Sequence, residues 1–176
     1  MKKSKNIKNG TLFWITGLSG SGKTTIAETI KKTITERYGH TLTISGDDLR
    51  KLFNYNKFSR KNRLKYALSY GKFCKHITNN GINVIFSTVS LFDKVRKWNK
   101  LNINNYIEIY IKTDIKIVIK KRKKFFYKGS YKNIVGKNLK AEFPKSPDII
   151  IQNDFKKSTN QLSSELLKKI SILYKM

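Results

Sequence analysis

Apolar and polar positions in this chain switch between a strand period and a helix period. Residues 11–16, Thr-Leu-Phe-Trp-Ile-Thr, form a short apolar run that predicts a buried strand. Ile26, Ile30, Ile34 and Tyr38 then recur at steps of four, one face of a helix over residues 24–38, and Gly39 suits its C-terminal cap. Thr41–Ser45 alternates as a second strand. Residues 59–79 read as a helix with Leu64, Leu68, Gly71 and Ile77 near one face, stopped by Asn79-Asn80-Gly81. Residues 83–87 form a short buried strand, residues 91–101 a helix, and Tyr106–Lys112 an alternating, β-branched strand. Residues 114–122 fit either period, and their place after a strand favours helix. Residues 121–142 carry many charges and no period, and read as a mobile, basic surface segment. Residues 148–152 predict the last strand. Ser158 and Gln161 have capping-box spacing ahead of Leu162, Leu166, Ile170 and Leu173. Strands alternating with helices predict an α/β fold, a parallel sheet with helices on both faces. The polar, basic residues 1–10 read as a loose tail, and 11–176 as one domain.

Composition narrows the class. A chain of 176 residues, 39% of them hydrophobic, suits one domain with a real core rather than a disordered segment. No apolar run approaches the ~18 residues of a membrane helix. The apolar stretch at residues 12–15 is too short for a secretory signal, so a soluble cytoplasmic protein is expected. The one cysteine, Cys74, excludes an internal disulfide framework and a Cys-rich metal site. With no visible partners, Cys74, His40 and His76 read as structural. Lys plus Arg is 38 against 11 for Asp plus Glu, a net charge of +27 that invites a polyanion partner. The excess is mostly lysine, however, and lysine, asparagine and isoleucine all have A/T-rich codons. Genome bias therefore accounts for the charge without a nucleic-acid partner, and none is expected, nor a membrane.

The candidate chemistry lies after the first strand. Gly17-Leu18-Ser19-Gly20-Ser21-Gly22-Lys23-Thr24 fits G-x-x-x-x-G-K-[ST] at every fixed position. The glycines let consecutive backbone N–H groups turn around a phosphate, and the following helix aims its positive end at it. Lys23 suits the β- and γ-phosphates of ATP and Thr24 a Mg²⁺ ion. Asp47 and Asp48 follow the second strand, at the edge where parallel sheets place their sites. A carboxylate there can orient Mg²⁺ or take a proton from an attacking hydroxyl, or it can be a turn or helix cap. No apolar run ends in the aspartate of a usual Walker B; the third strand ends in Ser87. That favours a small kinase over a motor ATPase. Among so many lysines, Arg50, Arg63 and Arg96 suggest bidentate anion contacts, and Phe53 and Phe58 suggest base stacking.

These residues resemble the adenylylsulfate kinase family, which transfers the γ-phosphoryl of ATP to the 3′-hydroxyl of adenosine 5′-phosphosulfate. The likeness runs nearly gap-free from Trp14 to Asp154. The stretch from Trp14 through Thr25 is similar to the family's opening almost letter for letter, which implies that Gly17, Ser19, Gly20, Ser21, Gly22, Lys23, Thr24 and Thr25 hold ATP. Ser45-Gly46-Asp47-Asp48-Leu49-Arg50 resembles its Asp-Gly-Asp-Asn-x-Arg. The match implies that Asp47 is the catalytic aspartate, working with Lys23, and a Mg²⁺ ligand with Thr24. It implies substrate-binding roles for Asp47, Arg50, Phe58, Arg63, Ser90 and Lys124, with Phe58 on the base and the arginines on the anion. It also implies a lid over about 121–142, in which Lys124 and Tyr127 keep two of the family's letters. The family often dimerises, so a homodimer is implied too.

The departures gather at the acceptor. Tyr66 stands for an asparagine, Leu68 for an arginine, Ile134 for the second aromatic jaw, Lys121-Arg122 for Arg-Asp, and Lys140-Ala141 for Pro-Tyr. The likeness therefore implies phosphoryl transfer to a nucleotide 3′-hydroxyl. It leaves two acceptors open: adenylylsulfate, or cytidine diphosphoramidate as in relatives associated with capsule biosynthesis. Two rival classes remain: a polynucleotide 5′-kinase, for which no basic stripe interleaved with aromatics is seen, and a non-catalytic nucleotide-binding protein.

Overall fold

A computed structural model describes residues 9–122 and 134–174. Its centre is β1 (Leu12–Thr16), in which every residue is buried. The other strands are β2 (Thr41–Ser45), β3 (Asn83–Thr88), β4 (Tyr106–Lys112) and β5 (Ile149–Gln152). All pair in parallel in the order β2-β3-β1-β4-β5. The helices among the described residues are α1 (Lys23–Tyr38), α2 (Gly46–Leu52), α3 (Arg60–Asn79), α4 (Asp93–Asn102), α5 (Ile115–Arg122) and α6 (Thr159–Leu173).

The two-residue period of β1 divides the core. Phe13 and Ile15 face α1 and α6, packing with Ile26, Ile30, Ile34, Leu162, Leu166 and Ile170. Leu12 and Trp14 face α2, α3 and α4, packing with Leu49, Ala67, Cys74, Phe86 and Val95. Burial holds the Cys74 thiol well above its ordinary pKa, in keeping with a structural role. Both faces of a central parallel strand need covering, which is why it reads as a continuous apolar run.

The expected elements are present, with four differences. First, a helix, α2, begins at Ser45-Gly46-Asp47-Asp48. Ser45 Oγ accepts from the Asp48 N–H at 3.1 Å and Asp48 Oδ2 accepts from the Ser45 N–H at 2.9 Å, a complete capping box. Second, α4 starts at Asp93 rather than at residue 91, because Leu91 is packed on Leu18 and Val135 and its N–H closes a turn onto the Val89 carbonyl at 3.1 Å. Third, α3 buries Ala67, Tyr70, Gly71, Cys74 and Thr78, whereas Leu64, Leu68 and Ile77 are only partly covered. A Cβ at Gly71 would lie 2.3 Å from Asn99 Oδ1 and 3.2 Å from the Trp98 ring, so glycine lets α3 and α4 approach. Fourth, both proposed surface segments have ordered ends. Gly10 is buried and donates to the Thr78 carbonyl at 2.7 Å, so the folded body begins before residue 11. Ile134 and Val135 are buried, and Glu142 accepts from the Asp93 N–H at 2.8 Å and pairs with Arg60. Residues 134–142 are therefore tied to the body. Of the expected lid, residues 123–133, with Lys124 and Tyr127, lie outside the described residues.

Arg96 is not an anion contact at the site. It is buried, with Nε 3.1 Å from Glu108 Oε1, and it also pairs with Asp93. Burial pushes the Glu108 carboxyl up to about 7, against the pull of Arg96. The folded protein therefore holds a proton that the unfolded chain releases at its ordinary value of 4.5. The contribution of Glu108 to stability is full below that value and is lost as pH rises through about 7. Urea melts at several pH values should show Glu108→Gln flattening the fall in stability over this window, and an unchanged slope would remove Glu108 as its source.

Candidate active site

At the carboxyl ends of β1, β2 and β3 lies a cavity of about 850 Å³. Its first wall is the loop between β1 and α1. Gly17 has φ +152°, and a Cβ there would lie 2.5 Å from the Ile111 carbonyl oxygen, so the chain passes β4 only as glycine. Gly17 and Ser21 belong to this loop without lining the cavity, and Ser21 is buried. Asn153, at the end of β5, donates its side-chain N–H to the Ser21 carbonyl at 2.9 Å and holds the turn from outside. Ser19, Gly20, Gly22, Lys23, Thr24 and Thr25 line the cavity. Lys23 is buried and donates to the Leu18 carbonyl at 2.7 Å, which keeps its ammonium inside the loop. Thr24 Oγ1 and Ser87 Oγ are 3.3 Å apart at the base of the loop.

The second wall comes from α2 and α3. The capping box turns Asp48 back onto Ser45 and leaves Asp47 facing the cavity, its side chain 76% exposed and paired with Arg50. The two aspartates thus part by position: Asp48 holds the backbone and Asp47 lines the cavity. Arg50 and Arg63 both lie over the Phe58 ring, 5.6 and 5.2 Å from its centroid. Burial and the neighbouring Arg50 hold the Arg63 guanidinium below its ordinary value, so an anion beside this pair is favoured. Arg63, Tyr66, Ala67 and Tyr70 are one helical face of α3, and all four line the cavity.

Ser87 and Ser90 close the floor and Ile134 forms the far wall. Of the residues the sequence singled out, Arg96 and Phe53 lie elsewhere; Phe53 packs on Tyr55 and Phe73. Leu68 also lies elsewhere, in a shallow groove with Lys61, Leu64 and Lys65 on the outer side of α3. Of the named departures from the family pattern, Tyr66 and Ile134 are therefore the described residues that line the cavity. Sequence reasoning missed Tyr70 and Asn153. Tyr70 was findable, since it stands at i+7 from Arg63, whereas nothing local marks Asn153.

The family model described as adenylylsulphate kinase matches residues 9–152. The chain belongs to the adenylylsulphate kinase family. It is a kinase, a phosphotransferase acting on a nucleotide. The chain is 30% identical over 168 residues to the cytidine diphosphoramidate kinase of Campylobacter jejuni, covering 93% of this chain and 98% of that one. It is 31% identical over 156 residues to the adenylyl-sulfate kinase of Clostridium kluyveri, covering 84% and 77%. The fold matches the Mycobacterium tuberculosis APS kinase solved with AMPPNP and APS, with a TM-score of 0.82, 21% identity and coverage of 93% and 98%. A shikimate kinase from Aquifex aeolicus shares the architecture at a TM-score of 0.62 and 13% identity, with 92% and 96% covered. The kinase has no helix among the described residues long and apolar enough to cross a membrane.

Proposed function

We propose that this kinase moves the γ-phosphoryl group of ATP to the 3′-hydroxyl of cytidine diphosphoramidate. Tyr66 and Ile134 on the acceptor wall carry this reading. They stand where the family's sequence pattern has a polar side chain and a second aromatic jaw. A purine loses a hydrogen-bond partner and a stacking surface there, and a smaller base loses less. The resemblance of both chains over nearly their whole length supports the same acceptor.

In this reading the N–H groups of residues 19–24 and the Lys23 ammonium hold the ATP phosphates. Asp47 accepts the proton of the 3′-hydroxyl, and Arg50 and Arg63 bind the acceptor's anionic part. Thr24 and Asp47 offer hard oxygen donors on one cavity, a set that suits Mg²⁺, which when bound with ATP offsets phosphate charge. Phe58 receives the base once the guanidiniums turn from its ring to the anion. Ser90 lines the same pocket.

Turnover with ATP and Mg²⁺ should be compared for the two acceptors at equal salt, because a chain of net charge +27 gathers anions non-specifically. The cytidine compound should have kcat/KM at least about tenfold the higher. Ile134→Phe should raise use of adenylylsulfate. Efficient turnover of adenylylsulfate, at or above ~10⁴ M⁻¹s⁻¹, with none of the cytidine compound would overturn the proposal. Consumption of ATP stimulated only by oligonucleotides would mark a polynucleotide kinase instead.

A further inference from the structure

The Tyr70 side chain is buried on the cavity wall, yet its hydroxyl has no hydrogen-bond partner among the described residues. The ring is well held: its centroid is 5.6 Å from that of Phe86 and 6.2 Å from that of Tyr55. Behind it, Tyr55 stacks on Tyr66 at 4.0 Å with the planes 7° apart, which stiffens this face of α3. The phenol edge reaches α2, where a Cβ on Gly46 would lie 3.5 Å from Tyr70 Cε2. Gly46 adjoins Asp47 in the chain, and Gly46, Asp47 and Tyr70 line the same cavity. Arg50 and Arg63 both act electrostatically on the phenol.

A buried hydroxyl without a partner costs free energy, and here a packed ring holds it on the wall of the cavity that Arg50 and Arg63 also line. We propose that the Tyr70 hydroxyl is an acceptor-binding group. It donates a hydrogen bond to an oxygen of the nucleoside 5′-phosphate that Arg50 and Arg63 embrace. Burial pushes the phenol up to about 12, so it stays protonated and can only serve an anion as a donor. The position lies four residues past Tyr66, on the same helical face, so the two tyrosines together replace polar recognition by a rigid aromatic wall on which the Tyr70 hydroxyl is buried without a partner among the described residues. The inference rests on the acceptor site proposed above, but not on which base occupies it.

Tyr70→Phe keeps the ring and removes only the donor. The first measurement is calorimetric binding of cytidine 5′-diphosphate and of adenosine 5′-phosphosulfate with AMPPNP and Mg²⁺ present. Affinity for both should weaken about tenfold, as for a lost hydrogen bond to a charged group, with AMPPNP affinity unchanged. In turnover, KM for the acceptor should rise by the same factor while kcat holds. The second measurement is thermal unfolding of the ligand-free protein. Removing an unpaired buried hydroxyl should leave Tm unchanged or raise it, whereas the stabilisation gained from the acceptor should shrink. Acceptor affinity unchanged in Tyr70→Phe would overturn the proposal. So would a clear fall in ligand-free Tm, since the hydroxyl would then be paired within the fold. If the parent binds the nucleotides and Tyr70→Phe weakens them, but neither cytidine diphosphoramidate nor adenylylsulfate is turned over, the proposed acceptor fails and this inference stands.

Discussion

Lys23→Ala should abolish turnover while leaving the protein folded. The ammonium is held inside the phosphate loop by the Leu18 carbonyl at 2.7 Å, where the proposed reaction develops charge on the transferred group. Alanine loses that charge at a site whose other contribution is backbone N–H groups, which cannot replace it. The expected loss in kcat/KM is at least ~10³, at the upper end for removal of one preorganised electrostatic group. The structural cost is small by comparison. Strand β1 and helix α1 are held by Phe13, Ile15, Ile26 and Ile30, not by the lysine stem, and an unpaired Leu18 carbonyl costs about 1 kcal/mol. Circular dichroism and a thermal melt close to those of the parent, beside a lost activity, are the expected pair of results. Activity within about tenfold of the parent would remove Lys23 from the chemistry.

Asp47→Asn should lower kcat by about 10²–10⁴, the contribution of a positioned general base. The variant keeps the side chain's shape, and the Arg50 pair that it weakens is exposed, worth no more than about 1 kcal/mol. Folding should therefore be nearly untouched. Asp48→Asn should do the opposite. Its carboxylate accepts from the Ser45 N–H at 2.9 Å and the Ser45 hydroxyl at 2.7 Å, so its loss weakens the start of α2 by about 0.5–2 kcal/mol and spares most of the activity. Measuring kcat and urea stability on both variants separates the roles. A large kcat loss in Asp48→Asn with little in Asp47→Asn would exchange them.

The sequence left Asp47 and Asp48 open between a carboxylate of the site and a turn or helix cap, and only the family resemblance favoured Asp47 as the site carboxylate. The geometry of helix α2 gives the cap to Asp48. A capping box uses the third residue after its cap, so Asp48 is committed to the backbone and Asp47 is turned to the cavity. Arg96 shows the limit of residue type alone. An arginine in a lysine-rich chain does mark a place where a planar, bidentate cation is needed, but here it serves the buried pair with Glu108 rather than a ligand. Leu68 shows the limit of alignment. It departs from the family pattern, yet it faces the outer side of α3 and leaves the cavity unchanged.

By itself the sequence determined the alternation of strands and helices, the phosphate loop and the buried character of β1. Each is local: a period of two or four, a glycine spacing, a run of apolar residues, all within one turn or one strand. The tertiary structure decided the strand order, which brings the ends of β1, β2 and β3 to one edge and so sets Lys23, Asp47 and Ser87 around one cavity. It decided that Asn153, 132 residues from Ser21, props the loop. It also decided which face of α3 is buried and which of its residues line the cavity. The periodicity drew the buried face through Leu64, Leu68, Gly71 and Ile77. Packing against Phe86 and β3 rotated it to Ala67, Tyr70 and Cys74, because glycine at 71 admits α4 closely on that side. A helix can bury either stripe, and only the shape of the surface it meets selects one.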